Sequence, residues 1–294
     1  MKRHAYLSLS IGLLVVGAVL ISNRLSSANR ASSVNPSTSR ARAAAAYGHL
    51  PLHFEANQGQ TDPQVEFLAR GIGHTLFLTA SEAVLVLTNP NPAPRRMPTQ
   101  QRAPTTALVL RMTFVGANPR PRVAGLGELP GKANYFIGND PTQWHRNVPL
   151  YAHLQYHDLY PGIDLRYSGD QRQLTYEFVV GPGVDPQRIV FDWQGTDSLD
   201  VDVQGDLVLH TPWGAVRQVR PVIYQDLDGA RREMAGGYMR ARGHRVGFEI
   251  AAYDASRPLV ITGAVPFDGL PPTEAATTVA GTFYPTQSPI TSPR

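Results

Sequence analysis

The stretch Ile163-Asp164-Leu165-Arg166-Tyr167-Ser168-Gly169-Asp170-Gln171-Arg172-Gln173-Leu174-Thr175-Tyr176-Glu177-Phe178 decides the fold class. Ile163, Leu165 and Tyr167 alternate with Asp164 and Arg166. After the turn Ser168-Gly169-Asp170, Leu174, Tyr176 and Phe178 alternate with Thr175 and Glu177. Successive side chains of an extended chain point to opposite faces, so this alternation marks strands with one buried face. Two such runs about a glycine-bearing turn predict a hairpin, apolar side inward, with Arg166 and Glu177 paired on the wet side.

The same pattern spreads outward in both directions. Leu108, Leu110, Met112 and Phe114 share one face, as do Ile189, Phe191 and Trp193. Leu199, Val201 and Val203 alternate before Gly205-Asp206 turns into Leu207 and Leu209. Val222 and Tyr224 lead to Asp228-Gly229, a hairpin signal, and Val246, Phe248 and Ile250 follow Gly243. No stretch after Ala46 keeps a helical apolar spacing, because Pro and Gly interrupt it. Short strands with frequent turns predict an all-β body at 47–262: an antiparallel β-sandwich, or two packed sandwich lobes.

The ends read differently. Met1-Lys2-Arg3-His4 precedes eighteen uncharged residues, Ala5 to Ser22. A basic start and an apolar run mark an export signal. As a helix the run is about 27 Å long, enough to reach across a bilayer at the short end of the range. Residues 1–28 are therefore expected to be a signal peptide, cut near Ser26-Ser27-Ala28, or an uncut anchor holding the body outside the membrane. Residues 29–46 read as a tether, 89–104 as a proline-rich loop between strands, and 263–294 as a Pro/Thr/Ser-rich tail.

Charge excludes one class of partner. The chain has 27 basic and 23 acidic side chains. Six of the basic ones (Lys2, Arg3, Arg24, Arg30, Arg40 and Arg42) fall in residues 1–50, where there is no acid. Taking those six away leaves 21 against 23, so the body is slightly acidic and no nucleic acid is expected as its partner. There is no cysteine, which excludes disulfides, thiolate metal sites and cysteine nucleophiles.

Several clusters could carry chemistry. His153 and His157 stand four apart, a metal-binding spacing if they lay on a helix, although Tyr151, Tyr156, Tyr160 and Pro161 around them favour extended chain. Asp192, Asp197, Asp200, Asp202 and Asp206 form an acidic run without the spacing of a calcium loop. Glu177 with Asp164 or Asp170 offers the paired carboxylates of a glycosidase. Asn57 and Gln58, in Asn57-Gln58-Gly59-Gln60, suit either a sugar-reading loop or a turn that satisfies its own backbone. Trp213 sits at an expected turn tip, where exposure would make it a contact for a partner or glycan. No cofactor is implied.

Five stretches occur in an order that resembles a known family: Leu50-Pro51-Leu52-His53-Phe54-Glu55-Ala56-Asn57-Gln58-Gly59-Gln60, Leu129-Pro130-Gly131-Lys132-Ala133-Asn134-Tyr135-Phe136-Ile137-Gly138-Asn139-Asp140, Tyr160-Pro161-Gly162-Ile163-Asp164-Leu165-Arg166-Tyr167, Leu174-Thr175-Tyr176-Glu177-Phe178, and Ser256-Arg257-Pro258-Leu259-Val260-Ile261. They resemble the uncharacterised β-rich N-terminal domain of bacterial surface or secreted proteins that carry SBBP-type β-propeller repeats. The resemblance implies an exported bacterial protein and brings no catalytic residues. After Ile261 the sequence departs from the pattern, with a proline-rich stretch where a propeller blade would begin. The expectation is a non-catalytic β module of the cell envelope or surface with an adhesion-like role and an extracytoplasmic partner. The alternative is a carbohydrate-binding or carbohydrate-active sandwich using Trp213, Asn57, Gln58 and Glu177.

Overall fold

A computed structural model describes residues 51–71, 73–88 and 107–267. The segments expected to be an export signal (1–28), a tether (29–46) and a proline-rich loop (89–104), and all but the first residues of 263–294, lie outside the described residues. Those described form seventeen strands and two three-residue 3₁₀ turns, with no α-helix among them.

In chain order the strands are β1 (Phe54–Ala56), β2 (Val65–Gly71), β3 (His74–Thr79), β4 (Glu82–Thr88), β5 (Ala107–Phe114), β6 (Arg122–Tyr135), β7 (His145–Tyr160), β8 (Ile163–Gly169) and β9 (Gln173–Val180). They continue as β10 (Phe191–Gln194), β11 (Ser198–Val201), β12 (Leu207–Thr211), β13 (Gly214–Leu227), β14 (Ala230–Met234), β15 (Gly236–Arg240), β16 (Arg245–Ile250) and β17 (Leu259–Pro266). Every pairing is antiparallel.

The all-β, antiparallel expectation stands, but the sandwich does not. Starting at β15, the ladder runs through β16, β10, β5, β4, β3, β2, β1, β7, β8, β9 and β17 to β13. This circuit returns almost to its start. At the seam between β13 and β15 there is no ladder, but the Tyr238 hydroxyl donates to the Val219 carbonyl at 3.2 Å. With β6 outside β7 and β14 alongside β13, fifteen strands make one sheet curled into a nearly closed barrel. Only β11 and β12 stand apart, in a small sheet built on the first half of β13. Alternation could not have told the two architectures apart, since sandwich and barrel strands both bury one face. The long-range pairs decide it: Phe54↔Tyr151, Trp193↔Met112 and Ile261↔Phe178.

The barrel interior is a packed core. Phe54, Leu78, Leu110, Tyr156, Tyr167, Phe178, Phe191 and Phe248 are at most 1% exposed. Several buried tyrosines bond the framework through their hydroxyls: Tyr156 donates to Thr79 O at 2.9 Å and Tyr160 to Val190 O at 2.8 Å. Tyr176 and Tyr238 bond to each other at 2.6 Å near the seam. An unmet buried hydroxyl is costly, so these bonds hold strands in register as well as fill space.

The hairpin that opened the sequence reading forms as β8 and β9, with Arg166 opposite Glu177. Two alternations were carried too far. Val203 lies beyond β11 on a turn and is 97% exposed, and Val222 faces outward at 42% because β13 bulges between Val219 and Val222. Ile223, Tyr224 and Gln225 are all buried there, so Tyr224 keeps its expected place. At the C-terminal side β17 reaches Pro266, four residues past the expected boundary.

Candidate functional site

The β6–β7 ribbon differs from the rest of the body. Not one of the fourteen residues of β6 is buried. Its inner edge pairs along β7, and Pro130, Lys132 and an irregular register between Glu128 and Lys132 interrupt its course. Proline and lysine on an edge discourage strand addition. The most exposed apolar side chains of the ribbon gather at its tip.

That tip runs from Phe136 to Trp144. Phe136 and Ile137 are 59% and 58% exposed. The Phe136 and Trp144 rings meet edge to face with centroids 5.2 Å apart. The Arg146 guanidinium lies 5.5 Å from the Phe136 ring centre and 5.2 Å from that of Trp144. Such contacts between a cation and ring faces fix the geometry of an exposed cluster. The loop beneath is stiffened locally. Trp144 Nε1 donates to Gly138 O at 3.2 Å, Gly138 takes a φ of 77° open to glycine, and Asp140 caps the 3₁₀ turn Pro141–Gln143 by accepting from Thr142 N at 2.9 Å.

A buried carboxylate pins the ribbon to the barrel. Glu55 on β1 is 3% exposed and accepts a hydrogen bond from the Tyr135 hydroxyl at the end of β6. Arg70 on β2 approaches the same carboxylate at 3.7 Å and stacks 5.6 Å from the Tyr135 ring centre. Burial first, and then the Glu55 carboxylate, push the Tyr135 phenol up to about 12. Glu55 and Tyr135 were not among the candidates from sequence. The available signal was that each lies inside one of the resembling stretches, 80 residues apart, with an acid among the apolar residues of a strand.

The sequence candidates fall in separate places. Asn57 is engaged with its own loop: Nδ2 donates to Asp62 O and Val65 O, both at 2.8 Å, and Oδ1 accepts from Gly59 N at 3.0 Å. Gln58 is exposed, its backbone N–H bound by the Gln60 side chain at 2.6 Å. Glu177 accepts from the Tyr224 hydroxyl at 3.2 Å and from Thr262 Oγ1 at 3.4 Å. Trp213 sits on the turn between β12 and β13, partly buried against the core. His153 and His157 both lie on β7. At about 3.3 Å per residue an extended chain sets them roughly 13 Å apart, too far to share an ion. His157 lies 3.7 Å from Asp164, whose carboxylate also accepts from Gln155 at 2.7 Å and from Asp158 N at 2.9 Å. In the acidic run, Asp202 accepts from Gln204 N at 2.9 Å and Asp206 N at 3.0 Å and pairs with Arg217, while Asp200 meets His210 at 2.8 Å. Among the described residues no group of three or more His, Asp or Glu gathers as a metal cage would require.

A family profile described as a domain of unknown function, DUF7948, matches residues 54–262, most of the chain. The chain belongs to that family. The DUF7948 match starts at the first residue of β1 and ends within β17, so it spans the barrel, the ribbon, Glu55 and Tyr135. No curated protein and no solved structure matches the chain.

Proposed function

We propose that this DUF7948 chain is a non-catalytic, exported module of the bacterial envelope that holds a protein partner against the tip of its β6–β7 ribbon. The observation that carries the reading is the tip itself: Phe136 and Ile137 more than half exposed, with Trp144 and Arg146 gathered around Phe136. Aromatic residues and arginine dominate the energetics of protein interfaces, and a rigid cluster loses little entropy on binding. The Glu55–Tyr135 bond supports the reading by fixing the base of the ribbon. The carboxylates that suggested hydrolysis support it too, since Glu177 and Asp164 are bound into the framework. The uncharged run at 5–22 and the resemblance to repeat-bearing surface proteins support the address.

The test is site-specific photo-crosslinking in cells. A photoreactive residue in place of Phe136 is expected to give a protein adduct of defined mass, outside the cytoplasm. Purified chain should compete it away, and chain carrying Phe136→Ser should not. The same probe at Val203, apolar and 97% exposed but far along the sequence, serves as control. Equal labelling at both positions would remove the case for the tip, and a wholly cytosolic chain would remove the case for export.

A further inference from the structure

Both strands of the ribbon are gripped just below the tip by one short piece of chain. Tyr135, the last residue of β6, and His145, the first of β7, face each other in register. The Tyr135 hydroxyl donates to Glu55. His145 lies against Gly59: a Cβ at that position would stand 2.8 Å from His145 Cε1. Gly59 also has a φ of 104°, which glycine alone adopts without strain. The two grips belong to one segment, so the loop 57–60 and the tip are set side by side.

That loop is shaped by its own side chains, and one amide is left over. Asn57 Nδ2 donates to Asp62 O and Val65 O, and Gln60 Nε2 donates to Ala56 O at 2.8 Å. Gln60 Oε1 accepts from Gln58 N at 2.6 Å. Gln58 lies between the two grips, and its exposed side-chain amide makes no hydrogen bond among the described residues. On the ribbon, exposed Arg146 lies over two rings yet forms no ion pair among the described residues.

We infer that the docking surface extends from the tip onto this loop, and that its occupant is an extended, acidic segment of the partner's chain. The inference rests on the tip reading and names what sits there. A glutamine amide offers a donor and an acceptor together, which matches the N–H and C=O of an exposed main chain. A guanidinium lying over rings keeps N–H groups for a carboxylate, and its planar fork takes both oxygens. An apolar side chain of the same segment covers Phe136 and Ile137, which folding leaves in water. Loop and tip are fixed before the partner arrives, so little freedom is lost on binding.

The experiment places the photoreactive residue at Gln58 of the full chain in cells, in parallel with the probe at Phe136. The expected result is an adduct of the same mass from both. Their crosslinked peptides should map to one contiguous stretch of the partner that carries Asp or Glu. As competitors for the Phe136 adduct, purified Gln58→Ala chain should be roughly fivefold weaker than the parent, and Arg146→Gln at least about tenfold weaker. An adduct at Phe136 with none at Gln58 would overturn the extension and leave the tip reading standing. So would crosslinks to separate parts of the partner, a stretch without acid, or a Gln58→Ala chain that competes as well as the parent. No adduct at Phe136 would remove the tip reading, and this inference with it.

Discussion

The barrel interior and the β6–β7 ribbon are built from the same alternating strands, yet they spend their apolar residues in opposite ways. Inside the barrel, Phe248 contacts the rings of Phe178, Phe191 and Tyr238 and is 1% exposed. On the ribbon, Phe136 keeps 59% of its surface in water and meets the Trp144 ring and the Arg146 guanidinium. Burial of a phenylalanine stabilises a fold by about 1.5–3 kcal/mol, whereas an exposed one contributes next to nothing. The interior therefore explains why the chain folds. The ribbon tip, which folding leaves uncovered, offers surface for something else. Glu55 and Tyr135 join the two regions.

The widest gap should appear in stability. Phe248→Ala removes a ring from a closed core and is expected to cost about 3–5 kcal/mol, read from urea unfolding. A loss below 1 kcal/mol would mean that the interior is loosely packed and the contrast false.

Glu55→Ala tests the joint. It strands the Tyr135 hydroxyl and the Arg70 guanidinium beside a dry site, and the expected loss is about 1.5–3 kcal/mol. Hydrogen exchange should quicken in β6 and the first half of β7 more than in β9 and β17. Uniform quickening would place Glu55 in the core rather than at a hinge between regions.

Alkaline pH tests two tyrosines together. Burial pushes Tyr160 up to about 12, and Tyr135, helped by Glu55, to about the same value. A phenol in an unfolded chain ionises near 10. Between about pH 10 and 12 the unfolded state has released protons that the folded state still holds. Stability that is fully present below pH 10 is thus lost as pH rises towards 12. Urea midpoints measured from pH 9 to 12 should fall, and Tyr160→Phe should flatten the fall without disturbing the ribbon. A midpoint that climbs with pH would contradict the sign.

The smallest effect belongs to the tip. Phe136→Ser is expected to change stability by no more than about 0.5 kcal/mol while abolishing the crosslinked adduct. A loss of 2 kcal/mol would show the tip to be a structural prop.

Legibility followed distance along the chain. The buried faces of β5, β8, β9 and β10 were read correctly from alternation because each strand carries its own pattern. Val203 was misread because alternation does not say where pairing stops, and Val222 because it lies at a bulge in β13. Asp228-Gly229 marked its hairpin well: both residues adopt positive φ, 53° and 84°, which an aspartate–glycine pair tolerates. At the candidate site the exposed tip left little trace, since Phe136 and Ile137 look like any apolar pair until the fold leaves them outside.

Local sequence by itself determined that this body is made of antiparallel strands, which side of most of them is buried, and that the excess positive charge belongs to the first 50 residues. Only the tertiary structure decided that the strands curl into a barrel and that Glu55 meets Tyr135. Strand period is a property of the backbone and needs only neighbours in sequence. Sheet closure depends on which edges find each other across 70 or more residues, as in Trp193↔Met112 and Ile261↔Phe178, and no local pattern encodes that choice.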